Sequence, residues 1–197
     1  SHITPGMKVL ELGCGTGYYT KELEKTGANI TAIDISPDLL NAARSRVKSN
    51  NVAFKIDNAY DMSFEDGVFD TVVGISVLHH LDMERALKEI YRVLKPGGTI
   101  RFSEPNMLNP QIAIQKNVPY IKERMGDSQD ETAFFKWEIN KLLLRFGFKD
   151  VSVIPFDFLH PAIPERMVSF FDRLGELLER APIIREIAGS LYIKAAK

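Results

Sequence analysis

Apolar positions in this chain follow two alternating rhythms over its first two thirds. Short, nearly solid apolar runs predict strands at 7–12, 29–34, 52–57, 69–75 and 99–104. Amphipathic stretches fall between them, at 18–25, from Pro37 onward and at 83–94. Ser36 is a suitable N-cap and Pro37 a suitable first helical residue, and Leu39, Leu40, Ala43 and Val47 follow as the stripe of a helix lying on a sheet. Pro96-Gly97-Gly98 stops the third helix. Strand and helix alternating at this tempo make a parallel sheet with helices on both faces. The solid apolar character of Thr71-Val72-Val73 agrees with burial on both sides.

After Glu104 the rhythm breaks. Residues 105–131 contain Pro105, Pro110, Pro119 and Gly126 without a clean period, so a long excursion is expected there. A helix at 132–146, a strand at 149–154, an amphipathic helix at 165–180 and a last strand at 189–196 follow. Phe156, Phe158, Leu159 and His160 lie between three prolines ahead of that helix. One domain is expected over 1–197, with its core at 7–104, 132–154 and 189–197 and covering segments at 105–131 and 155–188. The chain opens Ser1-His2-Ile3 without a methionine, as expected of a processed end cut near the first core strand, with ligand-covering residues lost upstream.

Composition narrows the options. Of 197 residues, 45% are hydrophobic and 26% charged, enough apolar content for a core that needs no disulfide or metal. With 25 basic and 26 acidic residues the net charge is −1, which argues against affinity for a nucleic-acid backbone. Cys14 is the single cysteine, so no internal disulfide forms and a reducing cytoplasmic setting is expected. No apolar run reaches the length of a membrane span.

Candidate chemistry begins at Glu11-Leu12-Gly13-Cys14-Gly15-Thr16-Gly17, at the carboxyl end of the first strand, where open doubly wound sheets bind ligands. Glycines there let the backbone turn tightly and approach a ligand. The spacing is G-x-G-x-G, so Tyr18 stands where the dinucleotide fingerprint has its last glycine. Asp34 ends the second strand and can accept both hydroxyls of a ribose over the loop, or serve the N-terminus of the next helix. Asp57-Asn58-Ala59 ends the third strand, where a carboxylate can meet an exocyclic amine. Glu11 beside the loop disfavours a phosphate and favours a cation.

Taken in order, residues 9–17, Ala32-Ile33-Asp34-Ile35-Ser36, Asp57-Asn58-Ala59, residues 69–73 and Leu94-Lys95-Pro96-Gly97-Gly98 resemble the signature of class I S-adenosylmethionine-dependent methyltransferases, in layout similar to the ubiquinone and menaquinone type. The resemblance covers about 7–154 and the last strand. It implies a Rossmann-like, doubly wound, seven-stranded sheet of order 3-2-1-4-5-7-6 with strand seven antiparallel. Glu11 would hold the methionine ammonium, and Gly13, Gly15 and Gly17 would let the backbone pass beneath the cofactor. Asp34 would bind the ribose, Ile35 would pack on adenine, and Asp57 would take the adenine amine beside Asn58 and Ala59. Gly74 and Ile75 would contact the methionine end. Tyr18 and its neighbour Tyr19 are placed to offer rings near the sulfonium.

Other readings compete for some of these residues. Tyr91 and Lys95 have the spacing of a dehydrogenase pair, yet end a helix before Pro96-Gly97-Gly98, where packing and helix-end charge explain them. A nicotinamide-dependent oxidoreductase and a non-catalytic binding module are the competing classes. His79, His80 and Glu104 are the catalytic candidates, each with a packing or capping alternative. Adjacent histidines are not expected to face the same way, so no shared metal is expected, and without a cluster of carboxylates for magnesium transfer is read as metal-independent. The helix at 165–180 reads as a lid that packs Met167, Phe170, Phe171, Leu174, Leu177 and Leu178 on the core, or else as a greasy acceptor pocket or a foot for a lipid-linked substrate. Its charges alternate along the sequence, which counts against a membrane face. The aromatic residues of the covering segments lean toward a partly apolar small-molecule acceptor.

Overall fold

The computed structural model describes residues 2–125, 131–159 and 163–197; His160 and residues 126–130 lie outside the described residues. The elements run β1 (Lys8–Leu12), α1 (Tyr18–Leu23), β2 (Asn29–Asp34), α2 (Pro37–Arg46), β3 (Val52–Ile56), β4 (Phe69–Ile75), α3 (Met83–Val93), β5 (Leu94–Pro105), α4 (Pro110–Asn117), α5 (Pro119–Arg124), α6 (Lys136–Arg145), β6 (Lys149–Phe156), α7 (Val168–Glu179), α8 (Pro182–Arg185) and β7 (Ser190–Ala196). They form one seven-stranded sheet ordered β3-β2-β1-β4-β5-β7-β6, with β7 antiparallel to both neighbours.

Alternation along the central strands builds the two layers. Leu10, Leu12, Ile33, Val72, Ile100 and Phe102 point to one face and bury against Leu87, Ile90 and Val93 of α3 and Ile139 and Leu143 of α6. Val9, Ile30, Ala32 and Val73 point to the other face, against Leu23 of α1 and Leu40 of α2. Each parallel strand therefore reads as solidly apolar, because both of its faces are covered. Since β1, β2, β4 and β5 run the same way, their carboxyl ends share one edge, and every candidate ligand residue sits there.

Two expectations from the sequence pattern change. The excursion at 105–131 contains two short helices, α4 and α5, because Pro110 and Pro119 open helices at their first positions and Asn109 caps α4 by accepting from the N–H groups of Gln111 and Ile112. The helix expected from 132 begins only at Lys136, since Phe134 is held extended against Asn106, its N–H donating to the Pro105 carbonyl at 3.0 Å.

Asn106 locks these covering segments to the sheet. It is fully buried; its Nδ2 donates to the carbonyls of Glu186 and Ala188 at 2.9 and 2.8 Å, and its Oδ1 accepts from the Leu108 N–H at 3.1 Å. Replacing it by leucine removes the partner of three backbone groups, one buried at Ala188 and two half-buried at Glu186 and Leu108. Asn106→Leu is expected to cost about 2–4 kcal/mol in urea unfolding, against less than about 0.5 kcal/mol for the exposed Asn41→Leu.

Candidate functional site

The three loop glycines have different jobs. All have positive φ, of 65° at Gly13, 53° at Gly15 and 78° at Gly17. A Cβ on Gly13 would lie 2.4 Å from Val77, and one on Gly17 would lie 3.0 Å from Ala43 of α2. Those two glycines admit the loop after β4 and the packing of α2. Only at Gly15 would the added carbon meet open space, so Gly15 is where a ligand can lie on the backbone. Asp34 stiffens this turn, its Oδ2 accepting from the Gly15 N–H at 2.8 Å and its Oδ1 from the Ser36 N–H at 2.9 Å. It therefore serves the loop and the start of α2 together, with lone pairs remaining on both oxygens.

Glu11 is 2% exposed, and its Oε2 has no hydrogen-bond partner. Burial pushes its carboxyl from the ordinary 4.5 up to about 7, the neighbouring Thr20 hydroxyl acting the other way. An orphaned carboxylate oxygen at the end of β1, just before the loop, fits a cationic group.

Two cavities open on the shared edge. One, of about 380 Å³, is lined by Gly13, Asp34, Ile35, Asn58, Ala59 and His80, with Asp57, Tyr60, Val77 and Leu81 completing its wall. Asp57 is already engaged there: burial raises its carboxyl, but the Ser63 hydroxyl and the Asn58 and Ser63 N–H groups outweigh this and hold it below the usual range, with Lys55 at 3.2 Å. Its oxygens organise the turn at 57–63. The second cavity, of about 770 Å³, lies between α1 and β4, β5 and β7, with Tyr19, Gly74, Ile75, Ser76, Arg101 and Tyr192 in its lining. Tyr18 lines neither cavity, and the Arg46 guanidinium lies 3.6 Å from its ring centre.

The chain turns sharply after β4. Ser76 takes a positive φ of 51°, a strained value for a residue with a side chain, and its N–H donates to the Ser103 carbonyl at 2.8 Å. Glu104, 1% exposed, holds the next three residues: Oε1 accepts from the Val77 and Leu78 N–H groups at 2.9 and 2.8 Å, and Oε2 from the His79 N–H at 3.4 Å. The same Oε2 lies 2.8 Å from His79 Nδ1. Glu104 is thus a positioning residue for the loop and for one imidazole. With Nδ1 as the donor to this carboxylate, His79 Nε2 carries the free lone pair.

Contrary to expectation, the two histidines do share a side. A 3-10 turn at Leu78–His80 brings their ring centres to 4.0 Å, and with Glu131 they form a group of metal-ligating atoms within 4.8 Å of one another. Burial and the adjacent His79 hold His80 below its usual range, against the pull of Glu131, whose Oε1 lies 3.3 Å from His80 Nδ1. Glu131, however, accepts the Lys116 ammonium at 3.2 Å, which sets a cation where a metal would have to compete. The polar positions Ser76, Arg101 and Tyr192 were missed in the sequence; the signal available was a polar residue interrupting strands whose neighbours, Phe102 and Leu191, face the core.

A family model for a methyltransferase domain matches residues 10–102. A demethylmenaquinone methyltransferase of Tropheryma whipplei is 39% identical over 108 residues, which are 52% of this chain and 45% of that protein. A ubiquinone biosynthesis O-methyltransferase of Xanthomonas campestris is 36% identical over 106 residues, 52% of this chain and 44% of that protein. This chain therefore spans about half the length of the curated relatives it matches. In fold it superposes on a SAM-dependent methyltransferase from Archaeoglobus fulgidus with a TM-score of 0.70 at 19% identity, covering 99% of this chain and 88% of that one. Phosphoethanolamine N-methyltransferase 2 of Haemonchus contortus, solved with S-adenosyl-L-methionine, also gives 0.70, at 18% identity over 100% of this chain and 50% of that one. The sheet is that of a Rossmann-like domain with the glycine loop at its carboxyl edge. Residues 10–102 match the methyltransferase-domain model, and the fold is shared with SAM-dependent methyltransferases of known structure.

The raised carboxyl of Glu11 sets a pH signature. A folded-state value above the unfolded one means that ionisation opposes folding: the cost is absent below pH about 4.5, grows toward pH about 7 and is complete above it. Glu11→Gln is expected to stabilise the ligand-free protein by on the order of 2–3 kcal/mol at pH about 8 and by almost nothing at pH about 4.5, read from thermal unfolding at both.

Proposed function

We propose that this chain transfers a methyl group from S-adenosylmethionine to a small-molecule acceptor. The observation that carries the reading is the buried Glu11 carboxylate, with one oxygen unpartnered under a glycine loop whose middle glycine faces open space. A pyrophosphate would be repelled there, whereas a methionine ammonium completes it. Asp34, held by two backbone N–H groups, keeps lone pairs for the ribose hydroxyls. Ile35, 71% exposed, offers apolar surface for adenine between Asn58 and Ala59, on a wall that Asp57 shapes through its turn. Gly74 and Ile75 lie on the methionine side, by the second cavity. Bound there, the cofactor supplies an electrophilic methyl on a sulfonium that departs as a neutral thioether.

The protein's share is then alignment, exclusion of water and removal of a proton. His79 is our choice of base, with Nε2 free and Nδ1 backed by Glu104. Transfer is read as metal-independent because the Glu131 carboxylate is already committed to Lys116. The acceptor is set by residues after the matched segment, which ends at Phe102. The relatives described above support this division, since they are named for demethylmenaquinone and ubiquinone methylation and each matches only about half of this chain. The covering segments 105–131 and 155–188 would then select a partly apolar small molecule rather than a nucleic acid.

Asp34→Ala is expected to raise the S-adenosylmethionine dissociation constant at least about tenfold in calorimetry, through loss of charge-assisted hydrogen bonds worth on the order of 1.5–3 kcal/mol. Tight binding of NADH instead would overturn the cofactor assignment. Glu104→Gln keeps an acceptor for the Val77 and Leu78 N–H groups but puts an amide NH2 where Oε2 faced the His79 N–H and Nδ1, which moves the imidazole proton to Nε2. That variant should lose at least about tenfold in kcat with little change in cofactor KM, followed as S-adenosylhomocysteine release over an acceptor screen.

A further inference from the structure

The helix at 165–180 does not pack its whole apolar stripe on the core. Only part of that stripe turns inward: Gly175 is buried, Phe171 and Leu178 are half-buried, and a carbon added to Gly175 would meet Phe158 at 3.6 Å. The Asp157 N–H, donating to Glu179 Oε1 at 2.8 Å, pins the same side. Phe170, Leu174 and Leu177, spaced as one helical face, are 64%, 38% and 60% exposed. The chain continues into α8, which packs against α7 and leaves Ile183 87% exposed, with Ile184 and Ile187 also exposed.

Charges that alternate in sequence separate on this helix. Arg166 in the 3-10 turn before α7, Arg173 within it and Arg180 at its C-cap recur every seven residues, about two turns, and so lie on one side. Arg173 is three residues from Phe170 and four from Leu177, which sets the row along the edge of the exposed stripe. Asp172, Glu176 and Glu179 share another row, beyond the arginines and away from Phe170 and Leu177. All three arginines are exposed, and among the described residues no ion pair ties any of them. No described helix is long and apolar enough to cross a membrane.

We infer that α7 and α8 form an interfacial foot for an anionic phospholipid surface, with Phe170, Leu174, Leu177 and Ile183 entering the boundary of the acyl region and the arginine row meeting phosphate headgroups. An apolar stripe bordered by guanidiniums, with its acids turned away, is complementary to that surface in both shape and charge. Flat protein partners would need only the apolar part. The inference stands on this surface alone and does not depend on the methyltransferase reading.

The test is co-sedimentation of the full chain with extruded vesicles of phosphatidylglycerol and phosphatidylcholine, and with phosphatidylcholine alone. Binding is expected on the anionic vesicles and weaker on the neutral ones, and should fall as salt rises. Phe170→Ser with Leu177→Ser, and separately Arg166→Gln with Arg173→Gln and Arg180→Gln, should each lower the partition coefficient about tenfold or more. These side chains are exposed, so the melting temperature and helical circular dichroism should be unchanged, which separates lost binding from lost folding. No vesicle binding by the parent chain, or equal binding by both variants, overturns the inference. So does light scattering that shows a dimer abolished by the serine pair, because the stripe would then be covered by a second copy.

Discussion

Glu104 sits buried at the carboxyl end of β5, where its two oxygens collect three backbone N–H groups and an imidazole nitrogen from the loop after β4. Backbone donors at a turn under the sheet edge have no strand partner, and leaving them bare inside the protein is costly. One carboxylate meets that demand and aims His79 in the same act. Asp34 does the equivalent work on the other side of the edge, holding the glycine loop and the first turn of α2. The cleft is shaped by acids that bind the protein's own backbone before they bind anything else.

Departures from ordinary folding preferences gather at this edge. Glu11 is an acid buried with an unpartnered oxygen, and Ser76 holds a left-handed backbone that costs about 1 kcal/mol or more for a residue bearing a side chain. Neither helps the ligand-free fold. Both stand at the carboxyl edge of the sheet, beside the glycine loop and the turn after β4.

Much of the cofactor half was legible in the residue pattern. Solid apolar runs split by helical stripes define a parallel sheet, and Gly13, Gly15, Asp34 and Ile35 stand at strand ends because a parallel sheet brings those ends together. Other roles were hidden. Tyr18 and Tyr19 are adjacent, and only helix rotation sends Tyr19 to a cavity and Tyr18 beneath Arg46. Asp57 reads as a ligand carboxylate, yet the Ser63 and Asn58 donors six residues and one residue away claim it. His79 and His80 look divergent under regular geometry, but a 3-10 turn brings their rings together.

What the order of residues decided by itself is the periodicity: which segments are strands, which helices, and that glycines and acids punctuate the strand ends, since these come from local backbone preference and from burying apolar side chains. What only the tertiary structure decided is how long-range partners divide polar and apolar groups. Asn106 meets Glu186 and Ala188 some eighty residues on, Glu104 reaches back to residues 77–79, and α7 shows only one side of its stripe to the core. Such pairings depend on distance in space rather than along the chain, and no local pattern of residues encodes them.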